Sequence, residues 1–180
     1  MIYPLYEVQI LGGAKYGKGN VFGWVRKKGT KAHQGWDFAA RDNTPLYALA
    51  DGKIEHVDKI DDSNYGKSIL MSFDGEGGSK LYAFYAHINS NTVERYQEVK
   101  MGDLIGYSGS TGNAKGSNKW EQHLHFEFRS ERYCGKGLEG RIDPYYFFGP
   151  PRFTWMCGGE FEPYYKFLEA ETNAMAASGY

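Results

Sequence analysis

The segment EQHLHFEFR, residues 121–129, carries two histidines at a spacing that suits a β-strand. Alternate side chains of a strand share a face, so His123 and His125 point the same way, about 7 Å apart along the chain. Glu127 and Arg129 join them, and the opposite face is apolar. We expect the apolar face in a core and the polar face toward solvent or a cleft. Two surface histidines on a half-exposed strand are the simpler alternative, because this spacing often arises by chance. The apolar face consists of Leu124, Phe126 and Phe128.

Two other segments place titratable side chains where they could join this pair. SKLYAFYAH reads as a strand that ends on His87, with Tyr85 on the same face. In HQGWDFA, His33 and Asp37 are separated by three residues that include Gly35. This spacing brings an imidazole and a carboxylate to one ion if the glycine lets the chain bend. Each segment alone is weak evidence for a site.

Four of the five histidines fall in these three segments, and only His56 is left over, which we interpret as an ordinary strand residue. A catalytic zinc takes three protein ligands and keeps a fourth position for water, whose pKa it lowers to about 7. Two histidines and one carboxylate meet that requirement, and two histidines then remain to move protons. Periodicity does not decide which histidine of the last strand touches the metal. The candidates are His33, Asp37, His87, His123 and His125.

The composition is that of an ordinary soluble protein. The 180 residues are 41% hydrophobic and 24% charged, which suits one domain with a hydrophobic core and a small appendage. Lys plus Arg total 21 and Asp plus Glu total 22, with no long block of either sign. The charge therefore gives no case for a nucleic-acid partner. No stretch is apolar enough to predict a membrane span.

The chain favours strands over helices. Its 24 glycines and 17% aromatic residues suit strands joined by tight turns. We predict a mostly β, antiparallel domain that forms an open groove, with DGEGG (74–78) as a hairpin connection. A proline start and good helix formers at 163–177 predict a short C-terminal helix. Strands are predicted at residues 46–50, 53–60, 67–73, 80–88, 104–108 and 123–129.

Taken in order, these motifs resemble the lysostaphin-type (LytM-like) zinc peptidases of the bacterial cell wall. The family pattern is H-x-x-x-D, then Y-A-H, then H-L-H-F-E. Here it reads HQGWD, LYAFYAHI, VKMGDLIGYSGSTGN and HLHFEFR, and the resemblance covers about residues 20 to 130. It implies a peptidoglycan endopeptidase that acts on the peptide part of that polymer. Carried over residue by residue, it implies the zinc ligands His33, Asp37 and His125 and the catalytic pair His87 and His123.

The resemblance also suggests boundaries and one departure. We expect a LytM-like domain over 20–148, an N-terminal extension over 1–19 and a C-terminal extension over 149–180 that packs on the domain. After STG, the run NAKGSNKWEQ replaces the short Gly-Pro turn that is usual in the family. The loop that borders the groove is therefore expected to be longer and to carry Trp120.

For several residues the sequence allows two alternative interpretations. Glu127 is either a second-layer group that fixes the tautomer of an imidazole or a solvated ion-pair partner of Arg129. Arg26, in FGWVR, either faces the cleft or is a solvated loop arginine. Cys134 and Cys157 have no CxxC pairing and form either one disulfide or two inert thiols.

Two other functions compete with the peptidase. The first is a non-catalytic LytM-like module that binds the cell wall or activates another hydrolase, although such modules typically lack ligand residues. The second is a non-haem iron oxygenase with a 2-His-1-carboxylate triad, which usually has an H-x-D or H-x-E pair and needs no additional histidines.

The expected place of action is the periplasm or the cell wall. MIYPLYEVQI lacks the basic start and apolar run of a secretory signal, so we expect a phage lysin, an injected antibacterial effector or a chain that has lost its leader. Of these the injected toxin is favoured, with the C-terminal extension as a candidate surface for an immunity or inhibitor protein.

Overall fold

The fold is mostly β and antiparallel, as predicted. The computed structural model describes residues 1–12 and 17–152, and every strand pairing between its named strands is antiparallel. One short helix, α1 (Tyr145–Phe148), follows the last strand. The helix predicted at 163–177 lies outside the described residues. Within the described part, no helix has the length and apolar character needed to span a membrane.

The strands of the described residues form three sheets. β1 pairs with β2, β10 lies between β4 and β8, and the largest sheet has the order β12-β11-β7-β6-β5-β9, with β3 also paired to β11. The strands are β1 (Gly23–Arg26), β2 (Lys31–His33), β3 (Trp36–Ala39), β4 (Pro45–Tyr47), β5 (Gly52–Asp58), β6 (Ser68–Asp74), β7 (Lys80–Ala86), β8 (Ile88–Asn91), β9 (Glu98–Val99), β10 (Leu104–Ser108), β11 (His123–Arg129) and β12 (Arg141–Ile142).

β11 organises the large sheet. One edge of it pairs with β7, and the other edge pairs first with β3 and then with β12. Its apolar side chains are fully buried in the main core, as predicted, where they pack beside aromatic side chains of neighbouring strands. The pairing places His125 opposite Asp37 of β3 and Ala86 of β7. Three strands from distant parts of the sequence therefore meet at one histidine.

The predicted strands differ from the observed ones mainly at their ends. The strand at 123–129 has the predicted bounds, and DGEGG lies between β6 and β7 as the predicted connection. The strand predicted at 80–88 ends at Ala86, because His87 adopts a left-handed φ of 60° and Ile88 begins a strand of another sheet. The strand predicted at 46–50 is shorter and ends at Tyr47.

The described N-terminal residues pack against β3. Ile10 forms a bridge with Phe38 and is fully buried, and Leu5 is buried in the same core. The backbone N–H of Leu11 donates to the carbonyl of Asp37. This segment therefore pairs with the edge of β3 that faces away from β11.

Candidate metal centre and active site

Gly35 brings the first pair of candidate ligands against β11. It lies between β2 and β3, and a Cβ at this position would stand 2.0 Å from the carbonyl oxygen of Phe126. Its φ is not among the positive values, so the glycine is required by a close approach of two backbones rather than by a left-handed bend. That approach places His33 and Asp37 against the polar face of β11.

Three donor atoms from these segments converge. Nε2 of His33 lies 3.1 Å from Oδ1 of Asp37 and 3.1 Å from Nδ1 of His125, and that Nδ1 lies 2.8 Å from the same Oδ1. Two ligand atoms bound to one tetrahedral zinc lie about 3.3 Å apart. All three residues are buried, and they are a group whose donor atoms suit one metal ion.

The hydrogen bonds of the remaining ring nitrogens of His33 and His125 determine which nitrogen of each imidazole carries a lone pair toward the cluster. Nδ1 of His33 lies 2.8 Å from the carbonyl oxygen of Val21, which can only accept, so this Nδ1 carries the hydrogen. Nε2 of His125 lies 2.9 Å from Oε1 of Glu127 and donates to it. Two nitrogen lone pairs and a carboxylate oxygen then face one another, and only a cation or an added proton stabilises that arrangement. The donor set fits zinc.

Arg26 holds the second oxygen of the aspartate. Its Nη2 lies 2.6 Å from Oδ2 of Asp37, so the arginine faces the cleft, and its Nε donates to the carbonyl of Gly19. Burial favours the neutral aspartate, but the charges of His33 and His123 outweigh it and hold the pKa of Asp37 well below its usual value. The carboxylate is therefore ionised, with one oxygen oriented by the arginine and the other turned to the histidines.

Glu127 belongs to a buried ionic network behind His125. The side chain is completely buried, and its Oε2 accepts from Nε of Arg129 at 2.7 Å and Nε of Arg141 at 2.9 Å. Burial raises its pKa, but the hydrogen bond and charge of His125, with both arginines, lower it to about 2. Glu127 contacts both His125 and Arg129, so both alternatives for its partner are present. The ion pair with Arg129 is buried rather than solvated.

The same carboxylates govern His125. Burial lowers the pKa of His125, but its hydrogen bonds to Asp37 and Glu127 outweigh that effect and raise the pKa to about 9. For His33, burial is the largest influence and lowers the pKa, with partial compensation by Asp37. The two imidazoles therefore differ: the carboxylates dominate the pKa of His125, whereas burial dominates that of His33.

His87 and His123 form a second pair beside the three donors. Their ring centroids lie 5.0 Å apart. Nδ1 of His87 donates to the carbonyl of Thr111 at 2.9 Å, and Nδ1 of His123 donates to the carbonyl of Glu121 at 2.8 Å. Each imidazole thus keeps Nε2 for other partners, and Nε2 of His123 lies 3.9 Å from Oδ1 of Asp37.

The environment keeps His87 neutral. Burial and the charges of His123 and His125 lower the pKa of His87 to about 4. An uncharged imidazole whose Nδ1 is occupied by a carbonyl can accept a proton on Nε2. All five candidate residues line one open groove of about 510 Å³.

Tyr65 is a site residue that the sequence reasoning did not identify. Its hydroxyl donates to Oε1 of Glu127 at 2.9 Å, and its ring lies 5.6 Å from that of His125. Burial and the nearby Glu127 raise its pKa to about 12. One tyrosine among 15 in the chain has no periodic or motif signal that would single it out.

The remaining sequence expectations concern residues outside this cluster. His56 lies exposed on β5, as expected for an ordinary strand residue. Trp120 is about half exposed in the loop before β11. The thiol of Cys134 lies 3.2 Å from the carbonyl of Gly140, and Cys157 lies outside the described residues, so the choice between disulfide and thiols stays open.

The antiparallel β fold and the convergent His, Asp and His donors define a zinc metallopeptidase domain. The chain belongs to peptidase family M23, whose model matches residues 31–138. That range contains all five candidate residues.

Solved structures and curated proteins agree with this assignment. The lysostaphin catalytic domain of Staphylococcus simulans is 27% identical with a TM-score of 0.55, and the match covers 72% of this chain and 87% of that domain. A zinc-containing peptidase from Vibrio cholerae is 27% identical with a TM-score of 0.54, over 78% of this chain and 37% of that one.

Curated relatives match about half of this chain. The peptidoglycan DD-endopeptidase ShyC of Vibrio cholerae is 32% identical over 103 residues, which are 54% of this chain and 20% of ShyC. The glycyl-glycine endopeptidase ALE-1 of Staphylococcus capitis is 33% identical over 96 residues, which are 53% of this chain and 24% of ALE-1. The chain spans about a fifth of the length of the first curated relatives it matches.

Proposed function

We propose that this protein hydrolyses peptide bonds in the stem or cross-bridge of peptidoglycan, with a zinc ion held by His33, Asp37 and His125. The observation that carries the proposal is the convergence of two imidazole lone pairs and one carboxylate oxygen within 3.1 Å of one another. Relatives whose names give DD-endopeptidase and glycyl-glycine endopeptidase activities support the substrate class.

Each group of the site has a chemical task in this proposal. A zinc ion held by the three donors would supply an acidified water and would polarise the scissile carbonyl. Nε2 of His87 and Nε2 of His123 form no hydrogen bond within the described residues, and both imidazoles line the same groove as these donors. One of them handles the proton of the attacking water, and the other stabilises or protonates the tetrahedral species as the C–N bond breaks. Each such group typically contributes ~10² to 10⁴ in rate.

The remaining side chains orient these groups. Arg26 turns Oδ1 of Asp37 toward the histidines by holding Oδ2. Glu127 accepts the Nε2 hydrogen of His125 and so leaves Nδ1 as its donor atom. The carbonyls of Thr111 and Glu121 do the same for the proton-transfer pair.

Digestion of purified sacculi tests the proposal. The zinc-loaded protein should release peptide fragments whose masses identify the cleaved bond. His33→Ala and Asp37→Ala should lose both zinc and activity. His87→Ala and His123→Ala should lose activity by at least about 10²-fold and keep zinc. Undigested sacculi would contradict the function, and turnover by His123→Ala would contradict the role given to that residue.

The biological setting is a separate part of the proposal. A hydrolase of this polymer acts in the periplasm or the cell wall, and cutting its cross-links weakens the wall, which would suit a lysin or an injected antibacterial effector with an immunity protein. Expression of the protein in the periplasm should lyse cells, whereas Asp37→Ala should be harmless. Cells unharmed by the wild-type protein, with no neutralising partner in co-purification, would contradict the toxin role.

A further inference from the structure

A second groove continues the candidate active site along β3. It has a volume of about 650 Å³, and Leu11 lines both this groove and the one that holds the histidines. Ala39, which also lines it, follows Asp37 by two residues on the same face of the strand and pairs with His123. We call this the side groove. The side groove therefore adjoins the groove of the convergent donors.

The side groove carries unpaired positive charge. Arg41 and Lys119 line it, and both cations lie beside the indole of Trp120, with Cζ of the arginine 5.8 Å and Nζ of the lysine 4.7 Å from the ring centroid. Neither forms a salt bridge within the residues that the structure describes. Among the described residues of the lining Glu7 is the one acidic side chain, so the cations of this part outnumber its anions. Such a lining favours a carboxylate.

The wall that carries the indole is held by its own hydrogen bonds. The backbone N–H of Trp120 donates to Oδ1 of Asn118 at 2.9 Å, and Nδ2 of that asparagine donates to Glu121 at 2.7 Å. The carbonyl of Glu121 in turn accepts from His123. One short loop therefore positions both the aromatic wall of the side groove and a histidine of the candidate active site.

We propose that the side groove is a substrate subsite that binds a carboxylate-bearing segment of the peptide chain. Arg41 and Lys119 bind the carboxylate, and Trp120 covers the apolar part of the segment. The subsite rests on the proposed function, because peptidoglycan peptides supply such carboxylates along the chain to be cut. It adds a determinant of specificity that lies beyond the five residues of the metal centre.

The test compares two forms of one substrate. The first is a cross-linked muropeptide that the wild-type protein cleaves, and the second is the same molecule with its free carboxylates amidated. We expect the wild-type kcat/KM to be at least about tenfold higher for the free acid. In the double variant Arg41→Gln, Lys119→Gln, the free-acid value should fall to that of the amide, with zinc content unchanged.

The chain offers a matched control. Arg95 and Lys53 lie over the ring of Tyr96, with Cζ at 4.5 Å and Nζ at 5.4 Å from its centroid, beside the opposite edge of the large sheet. The double variant Arg95→Gln, Lys53→Gln removes one arginine and one lysine from another aromatic ring, outside the side groove, and should keep the preference for the free acid.

The possible results separate the two proposals. A preference for the free acid that persists in the Arg41 and Lys119 double variant would overturn the subsite alone. An equal loss on both substrates would also overturn it, because that result indicates a structural role. A wild-type protein that cleaves neither muropeptides nor sacculi would overturn the proposed function and the subsite together.

Discussion

At the scale of single residues, Glu127 connects the candidate ligand His125 to the interior of the protein. One carboxylate oxygen accepts from the imidazole and from Tyr65, and the other accepts from two arginines. Such outer partners set the orientation and basicity of a ligating imidazole. The ion pairs with Arg129 and Arg141 offset the desolvation cost of this completely buried charge.

Glu127→Gln tests this link. The amide keeps the size of the side chain but removes the charge, so the imidazole becomes a weaker donor and the arginines lose their partner. We expect zinc affinity to fall about 10- to 100-fold together with a lower melting temperature. Competition titration with a chromophoric chelator measures the affinity.

Glu55→Gln is the matched control. Glu55 is also buried, and it contacts Ser72, Lys80 and Arg132 without lining the groove of the five candidate residues. The Glu55→Gln variant should lower the stability of the fold without changing zinc affinity. Equal zinc affinities for the Glu127 variant and the wild-type protein would contradict a role for Glu127 at the metal centre.

At the scale of elements, β11 could be predicted from the sequence because polar and apolar residues alternate along it, which gives the strand one polar face and one apolar face. Its bounds and its buried apolar side were therefore predicted. His87 could not be placed in this way, because strict alternation would put it on the core side with Tyr85. The left-handed φ of 60° at the end of β7 turns its side chain into the groove.

The short strands β2 and β3 could not be predicted from the sequence either. β2 and β3 have three and four residues, too few for a period to show. β2 is held by its pairing with β1 and β3 by its long-range pairing with β11, so pairing rather than local preference stabilises both strands. The candidate ligand motif could therefore be recognised from residue types, whereas its alignment against β11 could not.

Gly35→Ala tests the contact that aligns β3 with β11. The added methyl group would meet the carbonyl oxygen and carbon of Phe126 at 2.0 and 2.8 Å, so β3 must move away from its partner. We expect a loss of about 3 kcal/mol in the free energy of unfolding and weaker zinc binding, measured by urea denaturation and metal titration.

The same change at Gly19 provides the comparison. Its added methyl group would meet no atom closer than 3.9 Å, and its φ is not positive, so Gly19→Ala should leave stability and zinc binding close to wild type. Wild-type zinc affinity in Gly35→Ala would show that the backbone contact does not position the ligands.

At the scale of the whole molecule, an ion bound by the convergent donors would connect separate parts of the fold. They come from the end of β2, from β3 and from β11, and the aspartate is also held by Arg26 of β1. Without a cation, these donors depend on an added proton on His125, whose pKa is raised to about 9. Metal binding should therefore stabilise the folded domain as a unit.

Zinc addition should raise the melting temperature of the metal-free protein. Zinc at 100 times its dissociation constant adds about 2.7 kcal/mol to the stability of a protein that binds it only when folded, and for a chain of this size that is a rise of about 5–10 °C. Differential scanning calorimetry across a zinc series measures it, with Asp37→Ala and His56→Ala as the paired variants. Asp37→Ala should lose most of the rise because it removes one of the three donors, whereas His56→Ala should retain it because that exposed imidazole lies outside the cluster. A rise that is equal in all three proteins would show that zinc stabilises the fold from another place.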